Sequence, residues 1–316
     1  MKKNTEFKIA LIGEKFWCEN LKNQLTEEGV SANILKKPSA NPLKQMLWLI
    51  YFQKEIKEYS ILHIMSPYGN KKILKASQKL NAPIICHWIG SDVYKLEDPN
   101  KKKTFVKYCS ENLIHLAVSN RLRKELENNG FEVAYVIPNV TNTVLSKAEP
   151  LPEKPAFLSY WHDKRAEFFN YALIFKAARA FPETTFKIIG ATGENLNPPS
   201  NVHFVGFQKN VRPYILNSTA YIRLTPHDGQ LIPMMVAEVL SMGRYVIYNH
   251  RVPHCEYAST FEELKSKIVE ILNRKEPNYE GSKYVQKELN PKDNINKIIK
   301  LYQKLLFDEW SNNDNI

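Results

Sequence analysis

The chain lacks most of the features that decide a protein's chemistry outright. No stretch of about 18 apolar residues occurs in it, so nothing reads as a transmembrane helix. The opening MKKNTEFKIALIG has no small-residue exit of the kind a cleavable signal needs, and a cytoplasmic protein is expected. Cysteine is scarce: Cys18, Cys86, Cys109 and Cys255 stand far apart, outside any CxxC pair or Cys/His cluster with metal spacing, and read as buried, reduced thiols. The first strand–loop–helix holds only one glycine in its turn, Gly13, so the GxGxxG fingerprint is missing and with it the main reason to propose a bound NAD. There is no DxD at a strand end, no side chain that stands out as a nucleophile, no helix-turn-helix with a basic face and no aromatic platform of the RNA-binding type.

What is present is length, charge and a repeating pattern. With 316 residues, 43% of them hydrophobic, the chain can fill two cores of roughly 150 residues each. Its formal charge of +11 and pI near 9.2 point to an anionic partner. Nucleic acid, a phospholipid surface and a nucleotide diphosphate all satisfy that.

Short apolar runs alternate with helical segments in both halves, as in α/β domains with parallel sheets. The first half reads as strands at 7–13, 31–35, 60–65, 82–86, 113–118 and 133–137, separated by helices. Pro138, Pro150, Pro152 and Pro155 then interrupt the pattern, and it restarts at Ala156. The boundaries expected are 1–142 for the first domain, 143–155 for a linker, 156–295 for the second domain and 296–316 for a C-terminal helix and tail.

In open α/β sheets, ligands are held by loops that leave the carboxyl ends of the strands. The stretch 221–247 has that layout: a strand, the polar loop Thr225 to Gln230, a helix bearing Glu238, the glycine stop Gly243 and another strand. Trp161-His162-Asp163-Lys164-Arg165 is the loop after the strand 156–160. His87 is expected where a strand gives way to a loop, with Gly90-Ser91-Asp92 opening the next helix; a capping turn and a site for acceptor and general base are both open. Gly13 serves either a tight turn or close backbone approach to a ligand. Pro42 to Glu58 reads as a helix whose seven-residue apolar middle, Met46 to Phe52, is either core or an interfacial face placing Leu47, Trp48 and Phe52 in a membrane beside Lys44, Lys54 and Lys57.

The order HWIGSDVY, AVSNRLRKELENNG, VIPNV, a strand with a basic loop, FKIIGATG, NVHFVGF, and HDGQ with AEVLSMGRYVI downstream resembles retaining nucleotide-sugar glycosyltransferases of the GT-B fold, family-four-like members of glycosyltransferase group 1. The resemblance covers nearly the whole chain and is weaker over the first ~140 residues, where loops vary with acceptor. It implies two Rossmann-like α/β domains facing each other across a cleft, with the C-terminal helix packing back on the first. The acceptor would be held mainly by the first domain and the nucleotide-sugar mainly by the second.

Carried onto this chain, the resemblance gives Glu238 the place of the second glutamate in the family's E-x7-E pattern, at the nucleotide ribose. The first acidic position departs from the pattern: seven intervening residues back stands Gln230, and the nearest carboxylate is Asp228, so the place facing the sugar is open between the two. Gly229 and neighbouring amides would attract the diphosphate. Arg165, then Lys164, would stabilise charge on the departing diphosphate. Gly190, Gly206 and Phe207 would lie against the base, Gly13 matches the glycine of the first loop, and His87 and Asp92 fall where acceptor or transferred sugar is met. The implied activity is hexosyl transfer to a hydroxyl with retention, by a front-face route, in surface glycan, glycolipid or polysaccharide synthesis. No cofactor or metal is required by it, and the protein would be cytoplasmic with the inner membrane face as a docking surface. The alternatives are a nucleotide-sugar epimerase and a non-catalytic GT-B-like protein that binds glycan or nucleic acid.

Overall fold

The computed structural model describes residues 7–35, 42–77, 82–90, 92–109, 113–139, 146–228 and 232–313. The chain divides into two compact units: one holds the chain up to Asn142 and resumes at Leu289, the other holds Thr143–Asp228 and Ile232–Glu288. Residues 146–155, read as linker, thus pack with the second unit, and 289–295 with the first.

In the first unit the elements run β1 (Lys8–Gly13), α1 (Lys15–Glu27), β2 (Ser31–Ile34), α2 (Pro42–Glu55), β3 (Ile61–Met65), α3 (Lys71–Ser77), β4 (Ile84–Trp88), α4 (Pro99–Val106), β5 (Leu113–Ala117), α5 (Asn120–Asn128) and β6 (Val133–Val136). The strands form one sheet in the order β2-β1-β3-β4-β5-β6, every described pairing parallel. Parallel strands are covered on both faces, which explains why β1 and β3 are near-continuous apolar runs: Ile9 to Ile12 are wholly buried. Local signals set the helix ends. The Glu14 side chain accepts from Trp17 N–H at the start of α1, and the Ser119 hydroxyl accepts from Leu122 N–H at the start of α5.

The second unit repeats the scheme with β7 (Ala156–Tyr160), α6 (Tyr171–Ala180), β8 (Thr185–Ile189), β9 (Val202–Gly206), α7 (Arg212–Leu216), β10 (Ala220–Arg223), α8 (Met234–Ser241), β11 (Tyr245–Tyr248), β12 (Glu256–Tyr257), α9 (Phe261–Leu272) and α10 (Tyr279–Glu288). Its sheet order is β12-β11-β10-β7-β8-β9, again parallel throughout the described pairings. Both sheets therefore contain a point where the strand order reverses, between β1 and β3 in one and between β7 and β10 in the other. The chain closes with α11 (Pro291–Asn313), whose Tyr302 is buried in the first unit and hydrogen-bonded to His63 at 2.6 Å.

Two expectations need correction here. β4 runs on to Trp88, so His87 lies inside a strand and not at its loop, because Cys86 to Trp88 all keep register with β5. In α2, Phe52 is wholly buried and Trp48 stacks on it at 5.0 Å, so neither belongs to an interfacial face; Leu47, Ile50 and Tyr51 are the exposed apolar residues. The short β12 spans only two residues, and α10 buries Gly281, Ser282 and Val285 in place of a row of large apolar side chains. No helix of the described residues is long and apolar enough to cross a membrane.

Segment 146–150 is held by two arginines. The buried Arg244 donates to the carbonyls of Glu149 (2.6 Å), Pro150 (2.8 Å), Leu216 (3.0 Å) and Met242 (3.1 Å). Arg212 pairs with Glu149 and donates to the Ser146 hydroxyl. A planar guanidinium spreads donors over several carbonyls in a way that an ammonium does not. Arg244→Met should cost about 2–4 kcal/mol in urea unfolding, since four carbonyls lose a charged donor. Arg244→Lys should recover less than half of it.

Candidate functional site

The switch point of the second sheet gathers most of the residues singled out in that half. Because β7 lies between β8 and β10, its following loop reaches both neighbours. On one side the Asp163 carboxylate accepts from Thr192 N–H (3.0 and 3.1 Å), Thr192 Oγ (3.2 Å) and Gly193 N–H (3.1 Å). These bonds hold the Asp163 carboxyl below the usual range, the Thr192 amide contributing most. They also tie the basic loop to the loop that begins at Gly190. That glycine has φ of +92°, and a Cβ there would fall 2.6 Å from the Trp161 carbonyl oxygen, so another residue would force the two loops apart.

On the other side the link runs through two aromatic rings. The Arg165 guanidinium lies 4.2 Å from the centre of the Phe168 ring and 5.6 Å from that of Phe169. Phe168 packs edge-on against His227 at 5.4 Å, and Phe169 has the Arg223 guanidinium 5.2 Å from its centre. Arg223 ends β10 and pairs with Asp228, Nε at 2.8 Å and Nη2 at 2.6 Å from Oδ2. The structure thus brings Arg165 into the neighbourhood of Asp228, with Lys164 beside it on the exposed surface. Arg223 was not anticipated from the sequence, although it should have been: a charged residue in an otherwise apolar parallel strand needs a partner, and Asp228 is the nearest carboxylate.

Glu238 sits half-buried in the middle of α8, and burial lifts its carboxyl above the ordinary value. Its side chain makes no hydrogen bond or ion pair among the described residues, which leaves its oxygens available. Gly206 ends β9 with φ of +65° and Phe207 is 84% exposed, a large apolar side chain left in the open. Gly229 and Gln230 lie outside the described residues.

In the first unit, Gly13 stands at the reversal between β1 and β3. Its φ is +134°, and a Cβ would come 1.9 Å from the Met65 carbonyl oxygen, so the close pairing of the two strands alone demands glycine here. His87 is not at the surface. Its Nε2 lies 3.1 Å from the Ile137 carbonyl and its Nδ1 3.1 Å from His63 Nε2, while His63 Nδ1 lies 2.6 Å from the Tyr302 hydroxyl. The carbonyl can only accept, which orders the chain: His87 Nε2–H donates to it, His63 Nε2–H donates to His87 Nδ1, and Tyr302 O–H donates to His63 Nδ1. Burial pushes both histidines down, His87 to about 4, so both are neutral. With both ring nitrogens engaged, His87 has none to offer an acceptor.

Asp92 is also wholly buried. Oδ1 accepts from Ile89 N–H (3.3 Å) and Gly90 N–H (3.0 Å), closing the turn, whereas Oδ2 has no partner among the described residues. Ser91 lies outside the described residues. Burial raises the Asp92 carboxyl to about 6, against the opposing effect of those amides.

No protein-family model matches the sequence, and no curated protein matches it. Solved structures do. HepE from Anabaena in complex with UDP and glucose superposes with a TM-score of 0.70 at 13% identity, covering 94% of this chain and 99% of that one. A glycosyltransferase from Rickettsia africae gives 0.66 at 13% identity, covering 96% and 99%. The lipopolysaccharide outer core galactosyltransferase WaaB gives 0.61 at 15%, covering 92% and 99%. The fold is the GT-B fold. Identities of this size speak for the fold.

The Asp92 carboxyl supplies a pH test. Its value is raised in the fold, so the folded chain binds the proton more tightly, and stability is lost as pH rises from the unfolded value near 4 through about 6. Asp92→Asn keeps an acceptor for the two amides and removes the buried charge. It should melt higher than the wild type at pH 8, with the gap closing as the pH falls below 6; a constant gap would mean that the carboxyl is not ionising there.

Proposed function

We propose that the protein is a glycosyltransferase that moves a hexosyl group from a nucleotide-diphosphate sugar to a hydroxyl acceptor, with retention. The supporting observation is the arrangement at the β7/β10 switch point of a GT-B fold: exposed cations at Lys164 and Arg165, a carboxylate at Asp228 and a half-buried carboxylate at Glu238 on the following helix. Such a crevice is where α/β sheets hold ligands. Structurally similar HepE was solved with UDP-glucose bound.

In this reading Glu238 accepts hydrogen bonds from the ribose hydroxyls, a role suited to a carboxylate fixed on a helix and left without an internal partner. Arg165 and Lys164 hold the diphosphate and stabilise the charge that grows on it as the sugar leaves; in a water-poor site such cations act far more strongly than in bulk solvent. Gly190, Gly206 and Phe207 border the base, the first two through the backbone. Asp228 takes the sugar side in place of the family's first glutamate. No metal is required, because the cations do its work. In the first unit, the family resemblance assigns Asp92 to the acceptor side, as a wholly buried carboxylate that closes the turn after β4.

UDP, GDP, ADP and CMP, each alone and as its sugar conjugate, should separate in a thermal-shift panel, with one diphosphate series raising Tm in proportion to the logarithm of its excess over Kd. Glu238→Ala and Arg165→Ala should each reduce that shift by most of its size. A flat response to every nucleotide would sink the proposal.

The acceptor is proposed to be a lipid-linked or surface-glycan precursor reached from the inner membrane face. Leu47, Ile50 and Tyr51 are 52%, 52% and 66% exposed on one side of α2, and Lys44, Lys54 and Lys57 flank them. That combination fits shallow insertion into an anionic surface. Vesicles containing phosphatidylglycerol should retain the protein at low salt and release it as salt rises, and Leu47→Ser/Ile50→Ser should weaken retention at least fivefold. Equal retention of that variant would exclude α2 as the contact.

A further inference from the structure

Asp228 is not an isolated carboxylate. It follows β10 by five residues, and its side chain is 13% exposed, as is that of its partner Arg223. Both guanidinium contacts fall on the same oxygen, Oδ2, and the Tyr248 hydroxyl is hydrogen-bonded to the same carboxylate, whose two oxygens together offer about four lone-pair sites. The guanidinium is itself confined. The Phe169 ring covers it at 5.2 Å, and Tyr248 stands opposite Arg223 in the β10–β11 register. Burial pulls the Arg223 guanidinium down, but Tyr221 and then Asp228 outweigh it and hold Arg223 above its usual value, so the guanidinium keeps its proton.

We infer that Arg223 is a positioning residue for sugar recognition: it fixes the Asp228 carboxylate from behind through Oδ2, with the remaining lone pairs turned to the hydroxyls of the donor sugar. This rests on the glycosyltransferase reading above and adds a residue to it. Two physical points support the assignment. A carboxylate on a loop has several rotamers, and a two-point contact to one oxygen from a residue anchored in a strand selects one of them. A mostly buried ion is also costly unless paired, so without Arg223 the Asp228 carboxylate would turn toward water, and that change removes a correctly aimed acceptor. Arg223 is not the cation that meets the diphosphate. Its Nε and Nη2 are taken and a ring covers it, whereas Lys164 and Arg165 are exposed. The departure from the family pattern, an aspartate two residues before the expected position, is thereby given a structural reason: the shorter side chain is held from behind by an arginine.

The test uses the full chain and two probes, UDP and UDP-glucose, with Kd for each from calorimetry. In Arg223→Gln, Kd for UDP should stay within about twofold of wild type, while the ratio of Kd(UDP-glucose) to Kd(UDP) should rise about tenfold or more. Asp228→Asn, which preserves shape and tests the pair if the arginine variant folds poorly, should raise that ratio similarly. The double variant should do no worse than either single, because one interaction is being removed twice. Arg223→Lys, which keeps the charge but gives up the two-point contact, should fall between. A purely structural arginine would weaken both probes alike or leave the ratio unchanged, and either result overturns the inference. If the wild type binds neither UDP nor UDP-glucose, the reading beneath it fails for this donor and the inference goes with it; a normal UDP affinity with an unmoved ratio defeats the inference alone.

Discussion

Parallel strands covered on both faces leave nowhere for polar chemistry except the loops at their ends. That constraint organises both units. Ile9 to Ile12 on β1 and Ile61 to Met65 on β3 are buried from end to end, as are Ala220, Tyr221 and Ile222 on β10, and the interior they build is apolar apart from groups with a specific task. Every element of the proposed donor site is accordingly a residue at a strand terminus, on a loop, or on the helix that follows. The reversal of strand order then separates two neighbouring loops just enough for a ligand, and here the gap falls between β7 and β10.

Across that gap the loops are tied by contacts of intermediate strength, cation against aromatic ring and ring against ring. Arg165 and Arg223 lie near opposite ends of the Phe168–Phe169 pair, so two like charges approach one another with apolar surface between them. The pairing of Arg223 with Asp228 lowers the cost, leaving Arg165 and Lys164 without an ion pair among the described residues. Such a pair of cations at a strand end is what an anionic diphosphate needs, and the surrounding ion pair keeps the rest of the site near neutrality.

Much of this could be read before any coordinates. Ala156–Tyr160 and Thr185–Ile189 are found at the very residues expected, because an apolar run bounded by proline on one side and a polar loop or glycine on the other leaves little freedom. The site was harder, for reasons visible in individual residues. His87 looked like a loop residue since histidine next to tryptophan breaks no rule of strand propensity; its burial is explained only by His63 and Tyr302, 24 and 239 positions away. Phe52 and Trp48 share an apolar run with Leu47, Ile50 and Tyr51, and only the partners supplied by the first core decide which side of the helix is dry. Arg223 was legible from its strand context and was passed over.

The buried row from Tyr302 through His63 and His87 to the Ile137 carbonyl has a polarity. Each member gives a proton forward and receives one from behind, and the terminal carbonyl cannot reverse the flow, so of all the tautomers available to two imidazoles only one set is compatible with the row. The last helix, two central strands and the segment after β6 are thereby committed to a common state. Loss of the Tyr302 hydroxyl would leave His63 Nδ1 a buried acceptor without its donor, while the order imposed from the carbonyl end would persist.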